Sequence, residues 1–221
     1  HRHNTEAGGQ AVLNRLLAGE SCALVTDAGT PAISDPGEEL VALCAAHGVP
    51  ITAIPGPCAL VTALAVSGLP TGRFTFEGFL ALNKKNRRAQ LEGLKAEERT
   101  MIFYEAPHKL RTTLEDLADT FGSERPIAVC RELTKLHEEI LRLTIGEAAE
   151  RYADQEPRGE FVLVVAGCPP QIVEGDEDAA LARAEQLRQE GLPLKRAAAQ
   201  AAEEYKVKKR WIYNQKKKKE S

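Results

Sequence analysis

The chain has 221 residues, 43% of them hydrophobic and 28% charged, with a net charge of −3. That is ordinary globular composition, with room for one large domain or two modest ones. No apolar run approaches the roughly 20 residues of a membrane-spanning helix, no signal-peptide pattern is present, and the cysteines at 22, 44, 58, 130 and 168 form no CxxC pair. These features argue against a membrane protein, a disulfide framework or a zinc site, and predict a cytoplasmic protein with reduced thiols and no metal.

Gln10 to Leu17 predicts a helix closed by Gly19. The apolar run Cys22-Ala23-Leu24-Val25 reads as a buried strand over 22–26, and Glu38 to Cys44 has the periodicity of a helix, placed at 37–47. Between them lies Thr26-Asp27-Ala28-Gly29-Thr30-Pro31-Ala32-Ile33-Ser34-Asp35-Pro36-Gly37. Glycines and prolines make such a turn stiff and let backbone approach a ligand, while the aspartates supply acceptors. The same arrangement follows at once: a strand over 50–54, the turn Ile54-Pro55-Gly56-Pro57-Cys58-Ala59, and a helix over 58–67. Pro57 suits a first helical turn, whose free N–H groups would point into the same crevice. Two consecutive strand–loop–helix units of this kind predict a shared pocket beyond the carboxyl ends of the strands of an open α/β sheet.

Gly68-Leu69-Pro70-Thr71-Gly72 is dense in helix and strand breakers and separates an α/β domain over 1–70 from a second over 71–168. The second reads as strand 73–77, helix 87–95, strand 100–104, helix 107–121, strands 126–131 and 139–145, helix 147–153 and strand 160–166. The connection between the last two strands is too short for a clear crossover, so this sheet is expected to be mixed. Cys168-Pro169-Pro170 ends it, and helices at 177–190, 193–204 and 207–215 make a segment over 169–221. From Leu192 to Ser221 there are ten Lys and Arg against three Glu, so the rest of the chain is acidic. A basic end on an acidic body suits a polyanionic partner. Lys216 to Lys219 alone reads more readily as a solvated tail.

The strings TDAGTPAISDPG, PGPCALVTALAVSGLP and RFTFEGFL, with Phe103-Tyr104-Glu105-Ala106-Pro107-His108-Lys109-Leu110, Arg131-Glu132-Leu133-Thr134-Lys135 and Gly159-Glu160-Phe161-Val162-Leu163-Val164-Val165, resemble the ribosomal RNA small subunit methyltransferase I family of tetrapyrrole-methylase-like enzymes. The resemblance covers nearly the whole chain in one order. It implies two α/β domains with a cofactor cleft between them, S-adenosylmethionine as cofactor, 2′-O-methylation of a cytidine in the decoding region of 16S ribosomal RNA, and a homodimer. It begins at His1-Arg2-His3-Asn4, an element that relatives precede with a strand and a Gly-rich loop. The chain is therefore expected to be a fragment lacking one wall of the cofactor site.

By the same resemblance, Asp27, Ala28, Gly29 and Thr30 line the methionine part of the cofactor, and Gly56, Pro57, Cys58 and Ala59 form its second loop. Tyr104 and Glu105, at a strand end, line the adenosine. Cys58 stands where serine is common and reads as packing, with no base beside it to make it a nucleophile. A ribose hydroxyl attacking an activated methyl group gains most from alignment, and a base would help. His3, Glu77, Glu105 and His108 are candidates for that base, and nothing in the sequence ranks them.

For RNA, the patch Asn83-Lys84-Lys85-Asn86-Arg87-Arg88 offers Lys84, Lys85, Arg87 and Arg88 to phosphates from a loop beside the cleft. Lys208, Lys209 and Arg210, beside Trp211 and Tyr213 in a helix-turn-helix-like pair, offer a second basic surface. A tetrapyrrole methylase and a non-catalytic RNA-binding protein are the rival readings. The basic end speaks against the first, and the late start of the resemblance keeps the second open.

Overall fold

In the computed structural model, residues 2–169 and 176–219 are described, with side chains for 8–169 and 176–215. The chain falls into two compact units, His1–Cys168 and Pro169–Ser221.

The first unit is organised by five strands: β1 (Phe74–Phe79), β2 (Thr100–Glu105), β3 (Pro126–Arg131), β4 (Glu139–Thr144) and β5 (Phe161–Val165), in the order β1-β2-β5-β3-β4. β1 and β2 are parallel, β5 is antiparallel to both β2 and β3, and β4 is antiparallel to β3. The sheet is thus mixed, and β1, β2 and β3 end along the same edge. Central strands covered on both faces need continuous apolar runs, which Met101-Ile102-Phe103 and Phe161 to Val165 supply.

Alternation then sorts the side chains. Met101, Phe103, Ile127, Val129, Leu163 and Val165 pack towards Leu91 of α4 (Lys84–Leu94), Leu114 and Leu117 of α5 (Leu110–Phe121), and Ile145 and Ala148 of α6 (Ile145–Tyr152). Ile102, Ala128, Cys130, Val162 and Val164 pack towards Leu60, Ala63 and Leu64 of α3 (Ala59–Ser67). Burial pushes the Cys130 thiol up to about 11, which leaves it an inert core group. Gly68, at φ 79°, ends α3 in the left-handed conformation. A capping box between Thr144 and Glu147 starts α6 at Ile145, two residues before the sequence suggested.

The segments before α3 depart from expectation. α1 (Arg2–Leu17) begins well before Gln10, and α2 (Glu38–Ala46) lies where expected. Residues 22–26 and 50–54, predicted as strands, form no strand and pair with none among the described residues. An extended segment becomes a strand only when its N–H and C=O groups find a ladder. Without one, the side chains meant for a sheet core face solvent: Val25 and Ile54 are each 80% exposed.

In the second unit, α7 (Glu177–Gln189), α8 (Leu194–Glu204) and α9 (Lys209–Lys219) form a three-helix cluster. Asp176 caps α7 by accepting from the Ala179 N–H. Ala180, Ala184, Ala198, Ala201 and Ala202 allow close helix approach around Ile212, and Trp211 packs half-buried against them. Lys208, Lys209 and Arg210 are exposed. The side chains of Lys216 to Lys219 lie outside the described residues.

Candidate active site

The two Gly/Pro-rich loops meet. The Thr30 hydroxyl donates to the Pro57 carbonyl at 3.1 Å, and a Cβ on Gly29, where φ is 80°, would lie 3.4 Å from that same oxygen. Glycine is required there, because a side chain would have both a left-handed backbone and a filled gap between the loops. The Thr26 hydroxyl accepts from the Ala28 N–H at 3.1 Å and donates to the Ala28 carbonyl at 2.8 Å, closing the first turn of the loop. Asp27 is exposed, with no side-chain partner among the described residues.

The second loop delivers the N-terminus of α3 to the end of β2. Cys58 is its N-cap residue without a side-chain cap, and the Leu60 N–H donates to the Tyr104 hydroxyl oxygen at 3.1 Å. Burial pushes the Tyr104 hydroxyl up, and the charges of Cys58 and Asp35 act the same way against the Leu60 N–H. Tyr104 is held from the other side by Phe76 and Phe79, edge to face at 4.9 and 5.7 Å between ring centroids.

That arrangement depends on a bulge. Phe76 pairs with Ile102, but Gly78 pairs with Phe103, so Glu77 has no partner across the strand. Gly78 takes φ 63°, and the shift puts Phe76 and Phe79, three residues apart, on one face. Phe76 and Phe79 were not singled out from the sequence; the alternating Phe74, Phe76 and the glycine two residues on were the available signal.

Glu105 does not join Tyr104. Successive strand residues face opposite ways, and Glu105, 3% exposed, turns towards the α5 side. There its carboxylate accepts from the Thr113 hydroxyl at 2.5 Å and the Ala106 N–H at 2.8 Å. Both oxygens are therefore committed to starting α5, and Glu105 is corrected from site residue to scaffold. Glu77 is half-buried in the bulge and His108 is exposed in the short turn Pro107–Lys109 after β2. His3 falls within α1, and its side chain lies outside the described residues.

The basic patch also divides. Asn83 caps α4 by accepting from the Lys85 and Asn86 N–H groups, so the patch is the first turn of a helix and not a loop. Lys84, Lys85 and Arg88 are exposed. Arg87 is turned inward: its Nε donates to Asp116 at 2.6 Å, with side chains only 11% and 5% exposed, and its Nη1 reaches the Leu82 carbonyl at 3.3 Å. Arg87 is therefore corrected from RNA contact to buried ion pair. Among the described residues, no three His, Cys, Asp or Glu side chains cluster as metal ligands would.

Residues 1–149 match the family described as Tetrapyrrole (Corrin/Porphyrin) Methylases. The fold is similar to that of uroporphyrin-III C-methyl transferase from Thermus thermophilus, solved with S-adenyl homocysteine, at a TM-score of 0.50 with 18% identity over 73% of this chain and 72% of that one. The chain is 46% identical to ribosomal RNA small subunit methyltransferase I of Synechocystis over 96% of its own length and 77% of the relative's. It is 45% identical to the protein of the same name from Pseudomonas aeruginosa, over 97% of this chain and 77% of that one. The chain belongs to the ribosomal RNA small subunit methyltransferase I family.

Proposed function

We propose that this chain transfers a methyl group from S-adenosylmethionine to the 2′-oxygen of a cytidine ribose in the 16S RNA of the small ribosomal subunit, acting in the cytoplasm as a homodimer. The observation that carries the reading is the meeting of the two loops and the N-terminus of α3 at Tyr104, in a chain so close in sequence to enzymes bearing that name. When bound, S-adenosylmethionine supplies a methyl group already activated by its sulfonium, so alignment of the ribose oxygen with that carbon is the main task left to the protein.

The residues suit that task. Asp27 offers a free carboxylate to a hydroxyl or ammonium, and Ala28, Gly29 and Thr30 offer backbone close to the second loop, Gly56 to Ala59. Tyr104 and Phe79, the latter 53% exposed, make an apolar ledge against which a flat ring can rest. With Glu105 committed to α5, Glu77 and His108 are the described residues we keep as candidates for the base. Lys84, Lys85, Arg88, Lys208, Lys209 and Arg210 are the exposed cations we assign to RNA phosphates.

Thr30→Val removes the bond between the loops without changing size. Its loss is expected to weaken S-adenosylmethionine binding about five- to tenfold, from roughly 1 kcal/mol for one hydrogen bond, with little change in melting temperature. Isothermal titration calorimetry of both proteins checks this. The proposal as a whole is tested by incubation with methyl-labelled S-adenosylmethionine and unmodified small subunits, followed by nuclease digestion and mass spectrometry. Label on one ribose 2′-oxygen is expected. Cofactor binding with no label in RNA would move the assignment to a small-molecule acceptor, and RNA binding without cofactor binding would move it to a non-catalytic role.

A further inference from the structure

On the face of the sheet opposite α3, at the same edge, lies a cavity of about 210 Å³ that the mechanism above leaves unused. Arg131 at the end of β3, Glu139 at the start of β4, Arg151 and Tyr152 at the end of α6, and Glu156 and Arg158 in the following loop line it. Arg131 donates through Nε to the Arg158 carbonyl at 2.7 Å, which ties the loop to the strand. Glu139 sits between two guanidinium groups, 3.1 Å from Arg151 and 3.9 Å from Arg131, and so orients both. The Arg158 side chain is exposed and makes no ion pair among the described residues. Tyr152 is 3% exposed, and its hydroxyl has no hydrogen-bond partner within bonding geometry among the described residues. Burial and the charge of Glu139 push that hydroxyl up, against a weaker pull from Arg151 and Arg131, so it stays protonated.

Three guanidinium groups against the two carboxylates Glu139 and Glu156 leave the lining net positive, and Arg158 is the guanidinium among them with no ion pair among the described residues. Guanidinium forks match the oxygens of a phosphate. The cavity is large enough for such a group, at about 30 Å³ per water displaced. Its position favours a phosphate that belongs to RNA. Arg131 pairs across Phe161 with Glu105, next to Tyr104, two strand spacings or about 10 Å away. Lys135, a further cation beyond this end of β3, is held by Glu132 at 3.0 Å and Glu160 at 2.8 Å.

We propose that Arg131, Arg151 and Arg158, with Tyr152 beneath them, form a phosphate subsite that seats a phosphodiester of the RNA acceptor beside the target nucleotide. This inference rests on the RNA reading of the active site. Phosphate contacts fix register without reading sequence, which is what a cleft reached by a single ribose requires.

The test compares the full chain with its Arg158→Ala and Tyr152→Phe variants. Binding to 16S RNA is followed across a salt series, and the arginine Nε–H resonances are followed during titration with inorganic phosphate. Arg158→Ala is expected to lower the slope of log affinity against log salt by about 1, while S-adenosylmethionine affinity is unchanged. Tyr152→Phe keeps the ring contact with Phe161 and removes the unpartnered hydroxyl. It is expected to leave RNA affinity and the salt slope unchanged, because that hydroxyl is closed off from the cavity, so a loss confined to Arg158→Ala places the contact at the guanidinium. Phosphate shifting the Arg151 and Arg158 signals, with an unaltered RNA slope in Arg158→Ala, would overturn the assignment to RNA in favour of a free small anion. No shift and no slope change would overturn the subsite altogether. If the unaltered chain failed to bind RNA at all, the function proposed above would fall, and with it the RNA part of this inference; the phosphate titration would still decide whether the pocket binds anions.

Discussion

Replacing Arg87 by alanine is expected to destabilise the first unit by about 3–5 kcal/mol, the usual result of leaving one partner of a buried pair uncompensated. Asp116 would then sit 5% exposed, with only Arg88 near it, at 3.7 Å and mostly in solvent. The Arg88 contact places the expectation at the lower end of that range, which still lowers the melting temperature by roughly 10 °C in a unit of this size. The paired change Lys84→Ala with Lys85→Ala should do the reverse. Both side chains are exposed at the first turn of α4, where cations oppose the helix dipole, so stability should hold or rise slightly. RNA affinity should fall, and the salt slope should drop by about 2, one for each phosphate that is no longer neutralised. Thermal melts and salt-dependent RNA binding on the same two proteins separate the roles. Equal loss of RNA binding in Arg87→Ala at temperatures where it is folded would refute the buried-pair assignment.

Tyr104→Ala is expected to reduce kcat/KM for methyl transfer about a hundredfold. The residue joins three things: Phe76 and Phe79 on β1, the end of β2, and the first turn of α3 through Leu60. Two aromatic pairs and a hydrogen bond at about 1 kcal/mol each give roughly 3 kcal/mol, which is that factor if these interactions serve to align the site. Misplacement by about 1 Å alone can cost as much. Tyr104→Phe keeps the ring packing and removes only the acceptor for the Leu60 N–H. Its effect should be smaller, about fivefold, because water can reach the half-buried donor. Kinetics with saturating and limiting cofactor would check both, and equal losses in the two variants would show that the hydroxyl, not the ring, carries the role.

Arg87 and Tyr104 show how an element can be legible in a sequence while the direction of a side chain is not. The five strands of the sheet were legible within two residues at each end, because buried central strands must be apolar throughout and turns must carry their breakers. The meeting of the two Gly/Pro-rich loops was also legible, since both follow apolar runs and both open helices. In the run Lys84 to Arg88, composition points to four exposed cations, whereas Arg87 alone turns inward, as helical periodicity requires. Arg87, Leu91 and Leu94 are spaced as one helix face, and that face turns to α5.

Glu105 misled for a related reason. Its neighbour Tyr104 was rightly placed at a strand end, but the alternation of a strand sends adjacent side chains to opposite layers. Segments 22–26 and 50–54 were read as strands from their apolar, β-branched character. That character expresses a preference for extended backbone and cannot provide the neighbouring strand that makes a ladder.

The family, the run of elements after Gly72, and the loops that meet at Thr30 and Pro57 can be read along the chain, because local propensity, apolar periodicity and turn chemistry are written residue by residue. Tertiary structure alone decided that Arg87 and Glu105 are scaffold, that a bulge at Glu77 sets Phe76 and Phe79 together against Tyr104, and that Arg131, Arg151, Arg158 and Tyr152, from separate places in the chain, face one cavity. Each of these depends on which groups lie opposite one another once strands pair and helices pack. Such distances are long-range, and no stretch of sequence carries them.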